Sequence, residues 1–313
     1  MTIYIEHING LIREVTARHE RLVLFGQNIS TGSQLSGLTR ALTTGPGGLV
    51  LNTPNIENTL VALGFGMMLR GVSSVFFMKQ QDFLLLGLDH LVNTWNLVRR
   101  THGAASFTIV ATVVDCGYEG PQSCLNNLSD FCSMAQVPGY FMTSRHDSEA
   151  ILRRHLVAPG FRILGVSQRL FRTEALAFEA PVAIDSDVGA FRYAEGADAT
   201  LVAFNGALPQ AAALREAIAT GGGSASLFGS PSAWRADWSA AVADAARSGR
   251  LVVLDDSKSA HRPSDRFLHE ALAARPDLRI RALRREFEPS WLKPCQDALT
   301  IDPAAVAAEL GFA

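Results

Sequence analysis

The sequence predicts an α/β protein of two domains, and two features indicate this fold class. Short apolar runs alternate with segments of roughly ten to fifteen residues that have helical periodicity, a pattern typical of a parallel sheet covered by helices on both faces. The length of 313 residues corresponds to about two domains and is sufficient for a sizeable core. Because the composition changes between residues 172 and 197, we place the boundary between a first domain, 1–185, and a smaller second domain, 186–313.

The first domain is predicted to begin with an amphipathic helix over residues 3–20, because its apolar residues recur at helical spacing. Glycine-containing turns separate two strands, at 21–25 and 48–51. A buried helix is predicted over 60–69, where apolar residues and glycines run without a charge. The other predicted elements of this domain are short helices at 38–42, 128–134 and 148–156, a long helix at 84–100, and strands at 73–77, 107–114, 139–142 and 161–166.

The second domain repeats the alternation of strands and helices on a smaller scale. Its last strand, 278–283, is predicted to lie at the edge of the sheet. No short internal repeat indicates a solenoid. The other predicted elements of this domain are strands at 200–204, 225–228 and 250–254 and helices at 209–219, 234–248, 269–274 and 303–310.

Composition and charge argue against several classes of function. A net charge of −2 and an isoelectric point near 6.4 indicate no basic surface for nucleic acid. No segment reaches the ~18–20 apolar residues that a membrane span requires. The first residues lack the pattern of a signal peptide and the four cysteines form no C-x-x-C pair, so we expect a cytoplasmic protein without a zinc site. An apolar content of 48% with 19% charged residues suggests that other subunits cover part of the surface.

One acidic residue stands within an apolar stretch of the first domain. Asn52-Thr53-Pro54 ends the strand at 48–51 and the helix at 60–69 follows, so Glu57 is expected near a helix start, after the carboxyl end of a strand. Ligands collect at this edge of an open α/β sheet, because the loops that follow the strands converge there. The alternative is that Glu57 only complements the positive end of the helix dipole.

Four segments resemble the thiamine-diphosphate enzymes, in particular the beta subunits of the first component of 2-oxo-acid dehydrogenase complexes and the C-terminal half of split transketolases. The segment from Asn52 to Glu57, N-T-P-N-I-E, resembles the D-T-P-x-x-E turn of this family. Residues 22–28, 75–93 and 196–205 resemble its first strand, its next strand with a long helix, and the opening of its C-terminal domain. The resemblance implies that the first domain binds a pyrimidine ring and that the second is a transketolase C-terminal-like domain.

The resemblance also implies that thiamine diphosphate binds at this edge of the first domain. In the family, a glutamic acid in the turn holds the N1′ nitrogen of the pyrimidine and promotes the active tautomer of the cofactor, which works best in a dry site. By resemblance this catalytic residue is Glu57. The residues that the resemblance implies in cofactor binding are Gln27, Ile56, Glu57, Gln80 and Phe83.

Two of these positions depart from the pattern of the family. Gln27 stands where many relatives have a carboxylate, and its amide can hydrogen-bond but cannot relay a proton; the alternative is an ordinary amide in a surface turn. Gln80-Gln81 stand where many relatives place a phenylalanine that stacks on the ring. Stacking is therefore expected to be weaker or to come from another residue. Phe83 is alternatively a residue of the core.

A third departure concerns the histidine that relatives use to handle protons or the acyl acceptor. No histidine occurs between residues 103 and 145. Counting back from Pro138 puts Asn126 at this position, whereas matching Gly120-Pro121 to the corresponding loop of transketolases points to Ser123. Both are catalytic candidates that can donate a hydrogen bond, but neither is a general base near neutral pH. Transfer of an acyl group to a lipoyl arm is therefore in doubt.

The diphosphate half of the family's site is missing from this sequence. Relatives bind the diphosphate and a divalent metal through a G-D-G turn and a later asparagine, and this chain has no G-D-G. The resemblance implies an alpha-type subunit that brings the diphosphate site and Mg²⁺, in an α2β2 heterotetramer, with no metal ligand on this chain. The predicted function is cleavage of the bond next to the carbonyl of a 2-oxo acid or ketose, with transfer or release of the fragment. The alternative is a non-catalytic relative that serves as an assembly or regulatory subunit.

Overall fold

The computed structural model describes residues 2–101, 103–115, 125–285 and 298–312, and it contains two six-stranded sheets. Helices pack on both sheets, so the predicted α/β fold with a second, smaller domain is confirmed. Within the described residues, no helix is both long enough and apolar enough to cross a membrane.

The first sheet consists of β1 (Val23–Gly26), β2 (Leu49–Asn52), β3 (Ser74–Met78), β4 (Ser106–Val113), β5 (Gly139–Met142) and β6 (Gly160–Ser167). All of its pairings are parallel, and the strands lie in the order β2-β1-β3-β4-β6-β5. The strands β3 to β6 are buried along their whole length because helices cover both faces. In contrast, β2 is an edge strand whose residues are largely exposed.

The helices of the first domain form one layer on each face of this sheet. They are α1 (Tyr4–Ala17), α2 (Glu57–Leu69), α3 (Trp95–Val98), α4 (Leu128–Ala135) and α5 (Arg145–His155). The residues Ile8 and Ile12 of α1 share a core with Ile151 of α5 on one face. On the other face, α2, α3 and α4 pack around Phe65 and Phe107.

The helix predicted over 84–100 is not continuous. The chain forms a 3₁₀ helix at Gln81–Gly87, a π-helical turn at His90–Thr94 and the short helix α3. The 3₁₀ segment packs closely on α2, because Gly87 leaves no room for a Cβ against Val61. This close packing is the physical reason why the segment departs from regular α-helical geometry.

The short helix predicted at 38–42 is also absent from this described stretch. A 3₁₀ turn occupies Gln34–Gly37, and turns follow it. The side-chain amide of Asn9 in α1 donates to the carbonyl oxygens of Leu38 (2.9 Å) and Arg40 (3.0 Å). These carbonyl groups therefore bind α1 instead of accepting the bonds of a new helix.

The second sheet consists of β7 (Val182–Ala183), β8 (Phe191–Ala194), β9 (Ala199–Phe204), β10 (Ala225–Ser230), β11 (Arg250–Asp255) and β12 (Arg279–Arg284). Its order is β12-β11-β9-β10-β8-β7, so β12 lies at the edge as predicted. The strands β7 and β8 are antiparallel and lie in the region of changed composition, where no strand was predicted. The chain thus enters the second sheet at Val182, and the division at residue 185 stays a prediction.

In the described part of the second domain, four helices pack on the sheet, in two cores. One core contains Leu214 and Val306, and the other contains Trp238 and Phe267. The helices are α6 (Leu208–Thr220), α7 (Ser239–Ser248), α8 (Pro263–Ala274) and α9 (Pro303–Glu309).

Candidate functional site

The carboxyl edge of the first sheet brings the candidate residues to one side of the domain. The neighbouring strands β2, β1, β3 and β4 all end at this edge because the sheet is parallel. Gln27 follows β1, the loop to Glu57 follows β2, and the segment from Gln80 to Phe83 follows β3. This edge is where ligands bind in open α/β sheets.

Glu57 is the first residue of α2 and is only 7% exposed. The preceding residue, Ile56, makes no side-chain capping bond to the helix. No hydrogen bond or ion pair joins the Glu57 carboxylate to any other residue in the described part of the chain. Because buried polar groups are nearly always hydrogen-bonded, such a carboxylate is a candidate for contact with a ligand or partner.

Asn52 fixes the loop that leads to Glu57. Its side-chain oxygen accepts from the backbone N–H groups of Ile29 (2.8 Å) and Ser30 (3.0 Å). Its amide nitrogen donates to the hydroxyl groups of Ser30 (2.7 Å) and Thr31 (3.1 Å). The loops after β1 and β2 are therefore tied together at the edge.

Gln27 lies in a turn that depends on a glycine. Gly26 has φ 151°, and a Cβ at this position would collide with the carbonyl oxygen of Phe77 on β3. The side chain of Gln27 is partly buried, and its Oε1 atom is buried with no hydrogen-bond partner among the described residues. The buried Oε1 atom of Gln27 and the carboxylate of Glu57 thus both have unused hydrogen-bonding capacity within the described part of the chain.

The segment after β3 anchors the start of α4. The buried side chain of Gln81, in the amide orientation that satisfies both of its ends, accepts from the backbone N–H groups of Asn127 (3.1 Å) and Leu128 (2.9 Å). Asp82 accepts from the backbone N–H of Leu125 at 3.1 Å. Phe83 is partly buried and packs against the core of the α2 layer. The side chain of Gln81 therefore stabilises the start of α4, and part of the Phe83 ring lies in the core.

Asn126 lies in the contact between the two domains. Its buried side chain donates to the backbone oxygen of Asp256 at 2.8 Å. Its own backbone oxygen accepts from the N–H of Lys258 (2.9 Å) and the hydroxyl of Ser257 (3.2 Å) in the loop after β11. The other candidate at this position, Ser123, lies outside the described residues.

Sequence reasoning missed a buried charge network beside Asn126. Arg169 donates to Asp256 at 2.8 Å through its side chain and to Asp115 at 2.9 Å through its backbone N–H. The guanidinium of Arg285 donates to Asp256 at 2.7 Å, and the hydroxyl of Ser167 donates to Asp115 at 2.6 Å. Burial raises the pKa of Asp115, and the charge of Arg169 opposes this effect.

A second buried aspartate lies next to this network. Asp255 accepts from the side-chain amide of Asn205 (3.0 Å), the hydroxyl of Ser264 (2.5 Å) and the N–H of Ser257 (3.0 Å). Burial raises the pKa of Asp255 despite these donors. One signal in the sequence was available, because Asp115 and Asp255 each stand at or directly after the carboxyl end of an apolar strand.

The carboxyl edge carries an acid, Glu57, and an amide, Gln27. The charged groups of Asp115 and Asp256 are already bound to Arg169. Among the described residues, no three His, Cys, Asp or Glu side chains are arranged to hold a metal ion. An acid and an amide with unused hydrogen-bonding capacity can bind and orient a polar group of a ligand.

Two solved structures share this architecture. The chain aligns over 100% of its length with 99% of a split gene transketolase, described as an inactive beta4 tetramer, with 13% identity and a TM-score of 0.64. It also aligns over 93% of its length with 42% of a transketolase from Campylobacter jejuni subsp. jejuni NCTC 11168, with 12% identity and a TM-score of 0.62. These likenesses define the fold class as transketolase-like.

A curated sequence relative indicates the same group of proteins, although no protein-family model matches the sequence. Over 134 residues, the chain is 25% identical to the mitochondrial 2-oxoisovalerate dehydrogenase subunit beta of Chaetomium thermophilum. The aligned part is 42% of this chain and 29% of that relative. The chain thus has a transketolase-like fold and is similar over part of its length to a 2-oxo-acid dehydrogenase beta subunit.

Proposed function

We propose that this chain is the beta-type subunit of a heteromeric thiamine-diphosphate-dependent enzyme that acts on a 2-oxo acid or a ketose. The enzyme cleaves the bond next to the substrate carbonyl and transfers or releases the acyl or ketol fragment. The observation that carries the proposal is Glu57, which is only 7% exposed, makes no side-chain bond in the described part of the chain and lies at the carboxyl edge of a transketolase-like sheet.

The residues at this edge fit the pyrimidine half of the cofactor. The Glu57 carboxylate and the Gln27 Oε1 atom have unused hydrogen-bonding capacity within the described chain. A buried atom that stays unsatisfied, such as Gln27 Oε1, costs about 1–3 kcal/mol, and a bound polar ring would remove that cost. Ile56, which is 45% exposed next to Glu57, supplies apolar surface for a ring face.

When bound, thiamine diphosphate supplies a carbon nucleophile for the substrate carbonyl. Glu57 would hold a ring nitrogen of the pyrimidine, because its carboxylate lies at the carboxyl edge of the sheet and makes no bond within the described chain. Gln27 would orient the ring through its amide without exchanging a proton.

An alpha-type subunit would complete the site with the diphosphate-binding part and Mg²⁺, as in an α2β2 heterotetramer. Support comes from large apolar side chains that are exposed on β2 and on the α2–α4 side of the first domain. No such side chain is exposed on α1 or α5, both of which are described completely. A one-sided apolar surface of this kind is typical of a protein–protein interface. This apolar face consists of Leu49, Leu51, Ile56, Leu63, Leu69, Leu85, Leu86, Leu97 and Met134.

Decarboxylation or carbon–carbon bond formation fits this site better than transfer to a lipoyl arm. The side chain of Asn126 already donates to Asp256, and no histidine occurs between residues 103 and 145. The position that relatives use for proton handling therefore offers no general base near neutral pH. A carboligase or a simple decarboxylase requires less of that position.

The substitution Glu57→Gln tests the proposal in the complex co-purified with its partner. We expect activity on a panel of 2-oxo acids and sugar phosphates to fall at least about 100-fold, because the amide of glutamine cannot exchange a proton with the ring nitrogen of the pyrimidine. Sedimentation should show that the complex persists. The matched control is Glu6→Gln, which removes an exposed carboxylate from the first turn of α1 and measures the helix-dipole contribution alone.

The alternative function is a non-catalytic assembly or regulatory subunit. It is favoured by the engagement of Asn126 with the second domain, together with the missing histidine. In that case the Glu57→Gln complex would be as active as the parent, and the catalytic proposal would be wrong.

A further inference from the structure

A second concave site lies at the edge of the first sheet opposite Glu57. It is an open groove of about 390 Å³ at the amino ends of β5 and β6. In a parallel sheet the amino ends lie on the far side from the carboxyl edge, so this groove is separate from the proposed cofactor site. The groove is lined by Trp95, Arg99, Arg100, Pro138, Pro159, Gly160, Phe161 and Arg162.

The charge of this groove is of one sign. Among the described residues that line it, three are arginines and none is acidic. Arg99 is half-buried and Arg100 is exposed, directly after the end of α3. No ion pair joins the guanidinium group of either residue to a carboxylate among the described residues. A cleft lined by one sign of charge concentrates ions of the opposite sign.

Arg162 adds a positive charge behind the groove. It is buried, and its guanidinium donates to Thr108 Oγ1 (3.1 Å) and to the backbone oxygens of His155 (2.9 Å) and Pro159 (2.5 Å). These acceptors are neutral, and in the described chain no carboxylate lies within ion-pair distance. Burial lowers the pKa of Arg162 to about 10, so the side chain remains cationic at neutral pH.

The remaining lining is apolar. Its accessible part is formed by the exposed rings of Pro138 and Pro159, and the buried Trp95 and Phe161 form the floor beneath them. Apolar lining combined with a few polar groups is typical of small-molecule sites, which usually measure about 300–1,000 Å³. Arginine side chains recognise phosphate and carboxylate groups in such sites.

We propose that this groove binds a small aromatic anion, with Arg99 and Arg100 on the anionic group and the ring against the exposed Pro138 and Pro159. The alternative role of the two arginines is to complement the carboxyl end of a short helix. That role requires neither the exposed prolines beside the arginines nor the charge of Arg162 behind the groove. The proposal is independent of the cofactor site and of the reaction.

Calorimetric titration of the full chain with AMP, inorganic phosphate and adenosine tests this proposal. We expect one saturable site for AMP, with affinity at least about tenfold above that for phosphate or adenosine, because both parts of the ligand contribute. Affinity for AMP should fall as salt is raised, since the contact is between exposed charges.

The double variant Arg99→Ala/Arg100→Ala should weaken AMP binding at least about tenfold, and Arg100→Glu should weaken it further. The matched control is Arg70→Ala, which changes an exposed arginine that also follows a helix end but lies outside the groove. Absence of saturable AMP binding would overturn the proposal. So would equal binding of phosphate, or unchanged affinity in the double variant.

Discussion

The polar side chains at the carboxyl edge differ in whether the fold already engages them. Gln81 binds the start of α4, and Asn126 binds the second domain. In the described chain, the Oε1 atom of Gln27 is buried without a partner, and the carboxylate of the largely buried Glu57 makes no hydrogen bond or ion pair. Because the fold gains nothing from leaving such groups unsatisfied, they are the residues for which we expect a ligand. Their roles stay predictions until the Glu57 variant is assayed.

The buried carboxyl group of Asp255 predicts a pH dependence of stability. Burial raises its pKa above the ordinary 3.8, so the folded protein retains a proton that the unfolded chain releases. Its contribution to stability is therefore complete below pH 3.8 and is lost as the pH rises through the raised pKa. We expect the free energy of unfolding of the parent, relative to Asp255→Asn, to fall by about 1.4 kcal/mol per pH unit within this window. Urea unfolding measured at a series of pH values checks this.

Asp277→Asn provides the control for this pH series. Asp277 is exposed, and its contact with Arg275 lowers its pKa. Its contribution to the free energy of unfolding is therefore present at neutral pH and is lost as the pH falls, which is the reverse of the dependence expected for Asp255. A parent protein that gains stability relative to Asp255→Asn as the pH rises from 4 would contradict the prediction.

The sequence predicted the surroundings of Glu57 because they are local. The strand, the turn and the helix start that position this residue are adjacent in the chain. The partner of Asn126 could not be predicted, since Asp256 is 130 positions away and no local pattern encodes a contact between domains. The same reason explains why the network of Arg169 and Asp115 was missed.

At the scale of elements, α2 is both the support of Glu57 and a helix packed closely on β4. A Cβ at Gly64 would collide with the ring of Phe107. That ring cannot move freely, because it contacts the rings of Phe65 (centroids 5.0 Å apart) and Phe161 (5.2 Å apart). We therefore expect Gly64→Ala to lower the free energy of unfolding by about 1–3 kcal/mol, measured by urea unfolding.

Gly66→Ala in the same helix should have the opposite effect. No atom lies within 4 Å of a Cβ built at Gly66, and the residue is exposed. Alanine is the better helix former by about 0.5–1 kcal/mol, so stability should rise. If both glycine substitutions change stability in the same direction, the packing argument is wrong.

Elements with a single strong pattern were predictable, and those shaped by neighbours were not. The strand β5 was predicted with its observed bounds, because an apolar run between turn signals is a local property. The segment 81–98 has helical periodicity, but its close contact with α2 divides it into 3₁₀, π and α parts. The strands β7 and β8 are short and irregular in sequence, and only the pairing of β8 with β10 and of β7 with β8 identifies them.

At the scale of the whole molecule, the apolar face predicts where a partner subunit associates. Leu63 lies on α2 and is 46% exposed, so Leu63→Glu would place a charge in the interface without disturbing the core. We expect association with the alpha-type subunit to weaken at least about tenfold, while the thermal unfolding of the isolated chain stays close to that of the parent. Sedimentation of the mixed subunits measures the association.

Leu272→Glu is the matched control for the apolar face. Leu272 is a leucine on α8 of the second domain and is 42% exposed, outside the apolar face. Its substitution should leave association unchanged. Equal losses for the two variants would indicate that the apolar face has no special part in assembly.

The division into two α/β units followed from length and alternation alone, but their contact did not. Each sheet is built by pairing of segments that the pattern identifies. The contact depends on polar residues whose partners lie in the other domain, such as Asn126 with Asp256 and Ser129 with Asn205. Polar contacts of this kind have no periodicity, so the sequence does not reveal them.

The hydrogen bonds between Asn126 and the loop after β11 connect the second domain to the first and stabilise their relative position. A small rotation of one sheet against the other would pull on the chain that borders the candidate site, even though every contact near Glu57 stayed intact. The shape of that site therefore depends on both domains. Half of the chain, however well folded, would not reproduce it.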